Sequence, residues 1–316
     1  MTAKAKKIRA SFSLAFVLLP RPHRLAIQAL YRFCRVIDDE IDGEFRGDGQ
    51  ENGTLPHPPL RDAPSLQNLI AAWRHDIMAL YNGELPILPE NMPACAEILA
   101  LKPFIRHYDW PMRDLVGLLD GMAFDVAHFG VAGEAPQNPR PLTEQEFAAY
   151  CQNVAGGIGA LVLQSLGVTQ AQSYPLASCL GRAMQITNIL RDIAEDAAHQ
   201  RVYIPQEIWQ KFGYTSPAAS HILSHPALNL VTHELALCAK RDYEQSFALL
   251  AELRKNHRRA GRPLRGLGFV TLMAWIYRDL LLKNRRHSWV ANHAPLVSHS
   301  YWQMRKIFWL ARSMVP

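Results

Sequence analysis

Several things are scarce or missing in this chain. Cysteine is one: five are present, at 34, 95, 151, 179 and 238, an odd number with no C-x-x-C pair. That excludes a disulfide framework and a cysteine zinc site, and points to a reducing compartment. No apolar run approaches the ~18 residues that a membrane-spanning helix needs. Sustained period-two alternation rich in Val, Ile and Thr is missing, as are a fixed-period repeat and a glycine-rich dinucleotide loop. All-β architectures, solenoids and Rossmann-type cofactor binding are thereby set aside.

The 316 residues carry 49% hydrophobic and 20% charged residues, with 34 basic against 28 acidic side chains, a net charge of +6. This is the composition of a globular protein with a core of its own. The mild basicity suits an anionic small molecule, an anionic membrane surface or nucleic acid, and does not choose among them. Near the N-terminus Lys4, Lys6, Lys7 and Arg9 precede Leu14-Ala15-Phe16-Val17-Leu18-Leu19, imitating a signal peptide, but Pro20-Arg21-Pro22 follows with no small-residue cleavage site. Residues 1–10 are therefore expected to be a basic arm leading into the folded chain.

Apolar residues at three- and four-residue spacing mark helices near 22–42, 65–82, 94–107, 111–128, 143–167, 172–198, 226–256, 263–287 and 299–313. Gly/Pro clusters punctuate them at 43–64, 83–93 and 130–141, the first reading as a long loop. None separates two different compositions, so the expectation is one all-α domain over 1–316.

Two helical segments carry acidic stripes. Tyr31, Arg35, Asp38 and Asp42 stand at i, i+4, i+7 and i+11. At 100° per residue they fall within about 60° on one face, with Leu30, Phe33, Ile37 and Ile41 on a core face. Gln185, Asn188, Asp192 and Asp196 stand at i, i+3, i+7 and i+11, surrounded by Met184, Ile186, Ile189, Leu190 and Ile193. Carboxylates one turn apart repel, and repel more when desolvated. A hard divalent cation removes that cost: Mg²⁺ takes oxygen ligands, keeps some waters and bridges to substrate phosphates. Arg35, Arg191 and Arg201 suit the remaining phosphate oxygens. One D-x-x-x-D alone is as well read as a solvated helix end; two matched stripes in one helical chain favour the metal–diphosphate reading.

Further motifs accompany the stripes in order. They are Ser11-Phe12-Ser13-Leu14-Ala15-Phe16, Asp120-Gly121-Met122-Ala123-Phe124-Asp125, Tyr150-Cys151-Gln152-Asn153-Val154-Ala155-Gly156-Gly157-Ile158-Gly159, and Arg201-Val202-Tyr203-Ile204-Pro205. With them the chain resembles the squalene/phytoene synthase family from about Ser11 to about Tyr277. Its wording at Leu18–Arg21 and Phe33–Arg35 is nearest the bacterial members of the hopanoid route.

The resemblance implies an all-α isoprenoid synthase fold, a helical bundle around a central apolar cavity. It implies Mg²⁺, two to three ions, and no NADPH. Two prenyl diphosphates would join head to head: farnesyl diphosphates to presqualene diphosphate, or, as the alternatives, geranylgeranyl diphosphates to phytoene, or the full sequence to squalene or dehydrosqualene. Carried over by motif, Asp38, Asp42, Asn188, Asp192 and Asp196 would be metal ligands. Arg35, Asn188, Arg191, Arg201, Tyr203, Gln185 and Tyr277 would meet the substrate diphosphate or line the cavity. Tyr31, Tyr150 and Arg35 would be catalytic. The expected location is cytoplasmic, with membrane contact and downstream isoprenoid enzymes left open and no nucleic-acid partner.

Three glycines, Gly156, Gly157 and Gly159, interrupt a helical pattern at about 1 kcal/mol each against alanine. Room for prenyl tails and close helix packing explain them equally well. Residues 299–313 suit an interfacial helix or an ordinary docked one. Arg254–Arg259 and Lys283–His287 read as solvated helix ends rather than nucleic-acid patches. Cys34 and Cys151 read as packing residues. A terpene cyclase acting on one diphosphate and a non-enzymatic helical binding protein are the competing classes.

Overall fold

The computed structural model describes residues 16, 19–41, 62–88, 92–130, 140–261, 264 and 266–285. Among them there are helices and no strands. The chain divides into two compact units, one of residues 26–140 and one of residues 1–25 with 141–316.

The 26–140 unit is built from α1 (Arg21–Ile41) from Ala26 onward, α2 (Ala63–Asn82), α3 (Pro93–Tyr108) and α4 (Met112–Phe129). Each element has a local cause. Asp62 caps α2, its carboxylate accepting from the Ser65 N–H at 2.9 Å, and Pro64 stands in the first turn. Gly83 ends α2 at φ 81, a left-handed conformation that a side chain would strain. Leu30, Phe33 and Ile37 of α1 are buried as the periodicity predicts, while Ile41 is only half-buried. Asp76 is fully buried and accepts from the N–H groups of Ile87 and Leu88 at 2.7 and 3.3 Å, tying the loop after α2 to the core. The Tyr81 hydroxyl donates to the Trp110 carbonyl at 2.6 Å, and Arg74 pairs with Asp120 at 2.5 Å. Asp120, in the central motif, thus braces α4 against α2.

The other unit is organised around α7 (Gln170–Ala198), 29 residues long. Around it lie α5 (Glu144–Cys151), a π-helical turn (Gln152–Gly156), α6 (Gly157–Ser165), the short α8 (Gln206–Gln210) and α9 (Ala219–Ile222), α10 (Leu228–Arg259) and α11 (Leu267–Arg285). Thr143 and Glu146 form a reciprocal capping box at the start of α5. The expected single helix over 143–167 is therefore two helices joined by a π turn. Periodicity does not distinguish a one-residue widening of the turn from a continuous helix. α8 and α9 escape periodicity altogether, being five and four residues long.

The glycine question resolves towards packing. A Cβ on Gly181 of α7 would sit 2.8 Å from the Gly156 nitrogen and 2.9 Å from the Ala155 carbonyl carbon. One on Gly159 would meet the Ala177 Cβ at 3.4 Å. The backbone of the π turn and of α6 lies directly on α7.

The N-terminal motif lies outside the described residues except for Phe16, which stacks on Phe269 at 5.6 Å. The loop 43–64 is described only from Asp62, and the segment 299–313 lies outside the described residues. Of the basic run Arg254–Arg259 at the end of α10, Lys255, Arg258 and Arg259 are exposed, as expected of a solvated helix end, whereas Arg254 is half-buried and donates to the Thr271 hydroxyl at 2.8 Å, a packing role that the charge run does not reveal.

Candidate functional site

The second acidic stripe sits on α7, and all four of its members, Gln185, Asn188, Asp192 and Asp196, are half-buried. The apolar residues beside them divide as expected: Ile186, Ile189, Leu190 and Ile193 are buried. Asn188 donates through Nδ2 towards Gln185 Oε1 at 3.5 Å, and its Oδ1 is shielded from solvent with no hydrogen-bond partner. An amide oxygen in that state forfeits hydration and gains nothing in return. It is the donor a hard cation takes.

Arg191 and Asp192 are neighbours in sequence and partners in space. Nε of Arg191 donates to Oδ1 and Oδ2 of Asp192 at 2.8 and 3.0 Å, and Nη2 also donates to Oδ2. The side chains are 15% and 21% exposed. Burial alone would lower the Arg191 pKa; the hydrogen bonds and charge of Asp192, joined by the Tyr277 hydroxyl of α11, overcome it and hold the pKa above its ordinary value. Arg191 stays a fixed cation with N–H groups left for an anion.

The segment after α7 returns to its end. Gln200 adopts a left-handed conformation, φ 61. Its N–H bonds to the Ala197 carbonyl at 3.1 Å, and the Arg201 N–H to the Asp196 carbonyl at 2.8 Å, the two bonds of a Schellman turn. Glutamine at that position costs of order 1 kcal/mol, the kind of strain that functional turns retain. The turn keeps half-buried Arg201 beside Asp196 and leads to Tyr203, which stacks on Tyr150 with centroids 5.2 Å apart and planes at 22°. Both rings are buried. Tyr150 lies one residue before Cys151 and the π turn, and π turns recur at functional sites. Burial pushes the Cys151 thiol up to about 12, with Arg182 opposing and Asp242 adding to the shift, so it is no nucleophile.

The first stripe is described in its own unit. Tyr31, Arg35 and Asp38 share the half-buried face of α1; Asp42 lies outside the described residues. Arg35 pairs with Asp38 at 3.0 Å and also with Asp39, and its Nε is shielded and without a partner. The Arg35 and Asp38 side chains are 36% and 44% exposed.

The described residues hold no converging group of three or more His, Cys, Asp or Glu side chains. The acidic stripe of α7 contributes two carboxylates and two carboxamides, so its donor set is hard oxygen throughout. That set, with the orphaned Asn188 oxygen, fits Mg²⁺, which takes few protein ligands and completes its shell with water and phosphate.

Sequence patterning missed two residues near this site: Thr187, fully buried on α7, and Tyr243, fully buried on α10. Their hydroxyls are 2.9 Å apart. At helical spacing both read as ordinary core, and only the tertiary contact distinguishes them.

These helices define an all-α protein of the isoprenoid synthase fold. A crystal structure of a dehydrosqualene synthase in complex with ligand matches 98% of this chain and 93% of its own at 24% identity, TM-score 0.72. The profile of the squalene/phytoene synthase family matches residues 5–302, and the chain belongs to that family of prenyltransferase-type enzymes. Among its relatives are the presqualene diphosphate synthases of Zymomonas mobilis and Rhodopseudomonas palustris. The first is 31% identical over 92% of this chain and 85% of that protein, the second 33% identical over 74% and 73%.

Proposed function

We propose that this protein joins two farnesyl diphosphates head to head into presqualene diphosphate, releasing one diphosphate and one proton. The family is one of head-to-head prenyl diphosphate condensation, and relatives named for this product support the choice within it. The single observation that carries the chemistry is the α7 face: an orphaned Asn188 oxygen one turn from an Asp192 carboxylate, with Arg191 held cationic beside it.

In this reading residues 1–316 work as one functional domain. Asp38, Asp42, Asn188, Asp192 and Asp196 would hold Mg²⁺, which supplies positive charge against the diphosphate as its bond to the allylic carbon breaks. Arg35, Arg191, Arg201 and Tyr203 bind and orient the diphosphates, with Gln185 and Tyr277 beside them. The donor leaves as an allylic cation; the acceptor's double bond attacks its C1, and loss of a proton closes the cyclopropane. Tyr31 and Tyr150 offer ring faces to the cation and hydroxyls through which the proton reaches the departing diphosphate. The buried Tyr150–Tyr203 stack keeps water from that cation. Among the described residues no helix is long and apolar enough to cross a membrane; the reading includes a cytoplasmic enzyme in peripheral contact with the membrane that receives its product.

The test is incubation with farnesyl diphosphate and Mg²⁺, with and without NADPH, followed by mass spectrometry before and after phosphatase. A C30 diphosphate in both tubes is the expected result. Squalene formed only with NADPH would make it a full squalene synthase. Product only from geranylgeranyl diphosphate would make it a phytoene synthase, and a product built from one diphosphate a cyclase.

A further inference from the structure

The seam between α10 and α11 carries cations and rings that the reaction does not use. On α10, Phe247, Ala251, Arg254 and Arg258 stand at i, i+4, i+7 and i+11, within about 60° on one face. On α11, Thr271, Trp275 and Arg278 stand at i, i+4 and i+7. The two stripes meet: the Phe247 and Trp275 rings have centroids 5.3 Å apart, and Arg254 donates to the Thr271 hydroxyl at 2.8 Å. The helices therefore run antiparallel here, and the seam follows about 16 Å of α10. No carboxylate stands on either stripe. Trp275 is 43% exposed, and Ala251 and Arg258 are exposed as well. The Arg278 guanidinium lies over both rings, 5.4 Å from the Trp275 centroid and 5.7 Å from that of Phe247. Its Nε is shielded, without a hydrogen-bond partner. Burial and the charge of Arg258 both hold the Arg254 pKa below its ordinary value, and like charges one turn apart repel.

We propose that this seam docks the protein on an anionic lipid surface, with the arginines against phosphate headgroups and the Trp275 indole in the interfacial layer. Charge complementarity selects the partner. Past Phe247 these helices hold two carboxylates, Glu252 and Asp279, against arginines at 254, 258, 259 and 278, and Asp279 is already paired with Lys283 at 2.5 Å. A helix C-terminus explains Lys255, Arg258 and Arg259. It does not explain Arg278, well inside α11, nor an indole held partly out of the protein beside it. A tryptophan, with an apolar body and a polar N–H, suits the headgroup level of a bilayer, and arginine joins it there by keeping its charged head among the phosphates. Each basic side chain at an anionic bilayer adds about fivefold in affinity. A nucleic-acid strand, the other anionic partner, stacks its bases on free ring faces, and Arg278 covers that of Trp275.

The inference rests on the peripheral membrane contact included in the proposed function, so vesicle binding and condensation are measured separately. The probes are phosphatidylcholine vesicles with and without phosphatidylglycerol, sedimented with the full chain and its Arg258→Glu, Arg258→Lys and Trp275→Gln variants. Farnesyl diphosphate turnover is followed in detergent, with the melting temperature alongside. The parent should bind the anionic vesicles roughly tenfold or more tightly than the neutral ones. Arg258→Glu changes the charge by two and should weaken that binding about thirtyfold, two steps of about fivefold. Arg258→Lys keeps the charge and should bind like the parent. Trp275→Gln should weaken binding roughly tenfold through lost apolar burial. Turnover in detergent should match the parent in all three. If Trp275→Gln does not fold, the Arg258→Glu and Arg258→Lys comparison carries the same test. Arg258→Glu binding like the parent would overturn the inference, as would equal binding to neutral and anionic vesicles, a DNA duplex bound more tightly than vesicles, or a dimer of the chain that Arg258→Glu dissociates. A parent that binds vesicles but condenses nothing overturns the proposed reaction and leaves the docking surface standing. One that condenses but binds no vesicle does the reverse, and one that does neither overturns both.

Discussion

The two acidic helices carry the same kind of stripe and present it differently. On α7 the Arg191–Asp192 pair is 15% and 21% exposed, with Arg191 donating to both carboxylate oxygens. On α1 the Arg35–Asp38 pair is 36% and 44% exposed, and Arg35 divides itself between Asp38 and Asp39. A charge pair largely out of water is strong and costly to break, whereas one near water is screened and worth little to stability. The difference teaches that one motif can be two things: on α7 part of the packing, on α1 a surface device. Activity should not distinguish them and stability should.

The largest expected effect is on turnover. Asp38→Ala and Asp192→Ala should each lower kcat by about a hundredfold or more, the scale for losing one member of a charge-stabilising set. Steady-state assays of diphosphate release check this; either variant retaining parental turnover would remove that residue from the metal set. Next is stability. Asp192→Ala leaves Arg191 partly buried without its carboxylate and should cost about 1–3 kcal/mol, discounted for residual exposure, while Asp38→Ala should change stability by about 0.5 kcal/mol or less. Urea unfolding of the two variants side by side would break the comparison if the costs came out equal.

Gly181→Ala sharpens the same contrast by loosening α7 from its neighbours. The new Cβ would stand 2.8 Å from the Gly156 nitrogen, a backbone atom, so helices must part at a cost of about 1–3 kcal/mol. A melting temperature unchanged from the parent would show that α7 is not held against the π turn. The smallest effect belongs to Gln200→Gly. It relieves a left-handed glutamine but loosens the unfolded chain, and the two nearly cancel, leaving stability within about 0.5 kcal/mol of the parent. A loss well beyond that, seen by the same unfolding assay, would mean that the Gln200 side chain, not its backbone angle, secures the turn.

How much of this was legible in the sequence depends on the length scale of each feature. Helices of three turns or more declared themselves through periodicity, because one apolar face must be buried along the whole element. The π turn at Gln152–Gly156 did not, since a single widened turn leaves the pattern intact; nor did α8 and α9, shorter than the pattern itself. In the stripes, spacing along one helix placed Gln185, Asn188, Asp192 and Asp196 on one face. It could not reach across helices: the stack of Tyr150 on Tyr203 and the Thr187–Tyr243 bond join residues 53 and 56 positions apart. Tyr277, Tyr150 and Tyr203 were named through resemblance, but Thr187 and Tyr243 had neither pattern nor resemblance to mark them. The three glycines read as a cavity lining as readily as a packing seam, and the seam is what Gly181 describes, where a Cβ would come within 2.8 Å of the Gly156 nitrogen.

The most direct measurement is stoichiometric: inorganic diphosphate released against farnesyl diphosphate consumed, in Mg²⁺ and without NADPH. The account predicts one diphosphate for every two substrates, with the second retained on a C30 product. One diphosphate for every substrate consumed, or none at all, would contradict it.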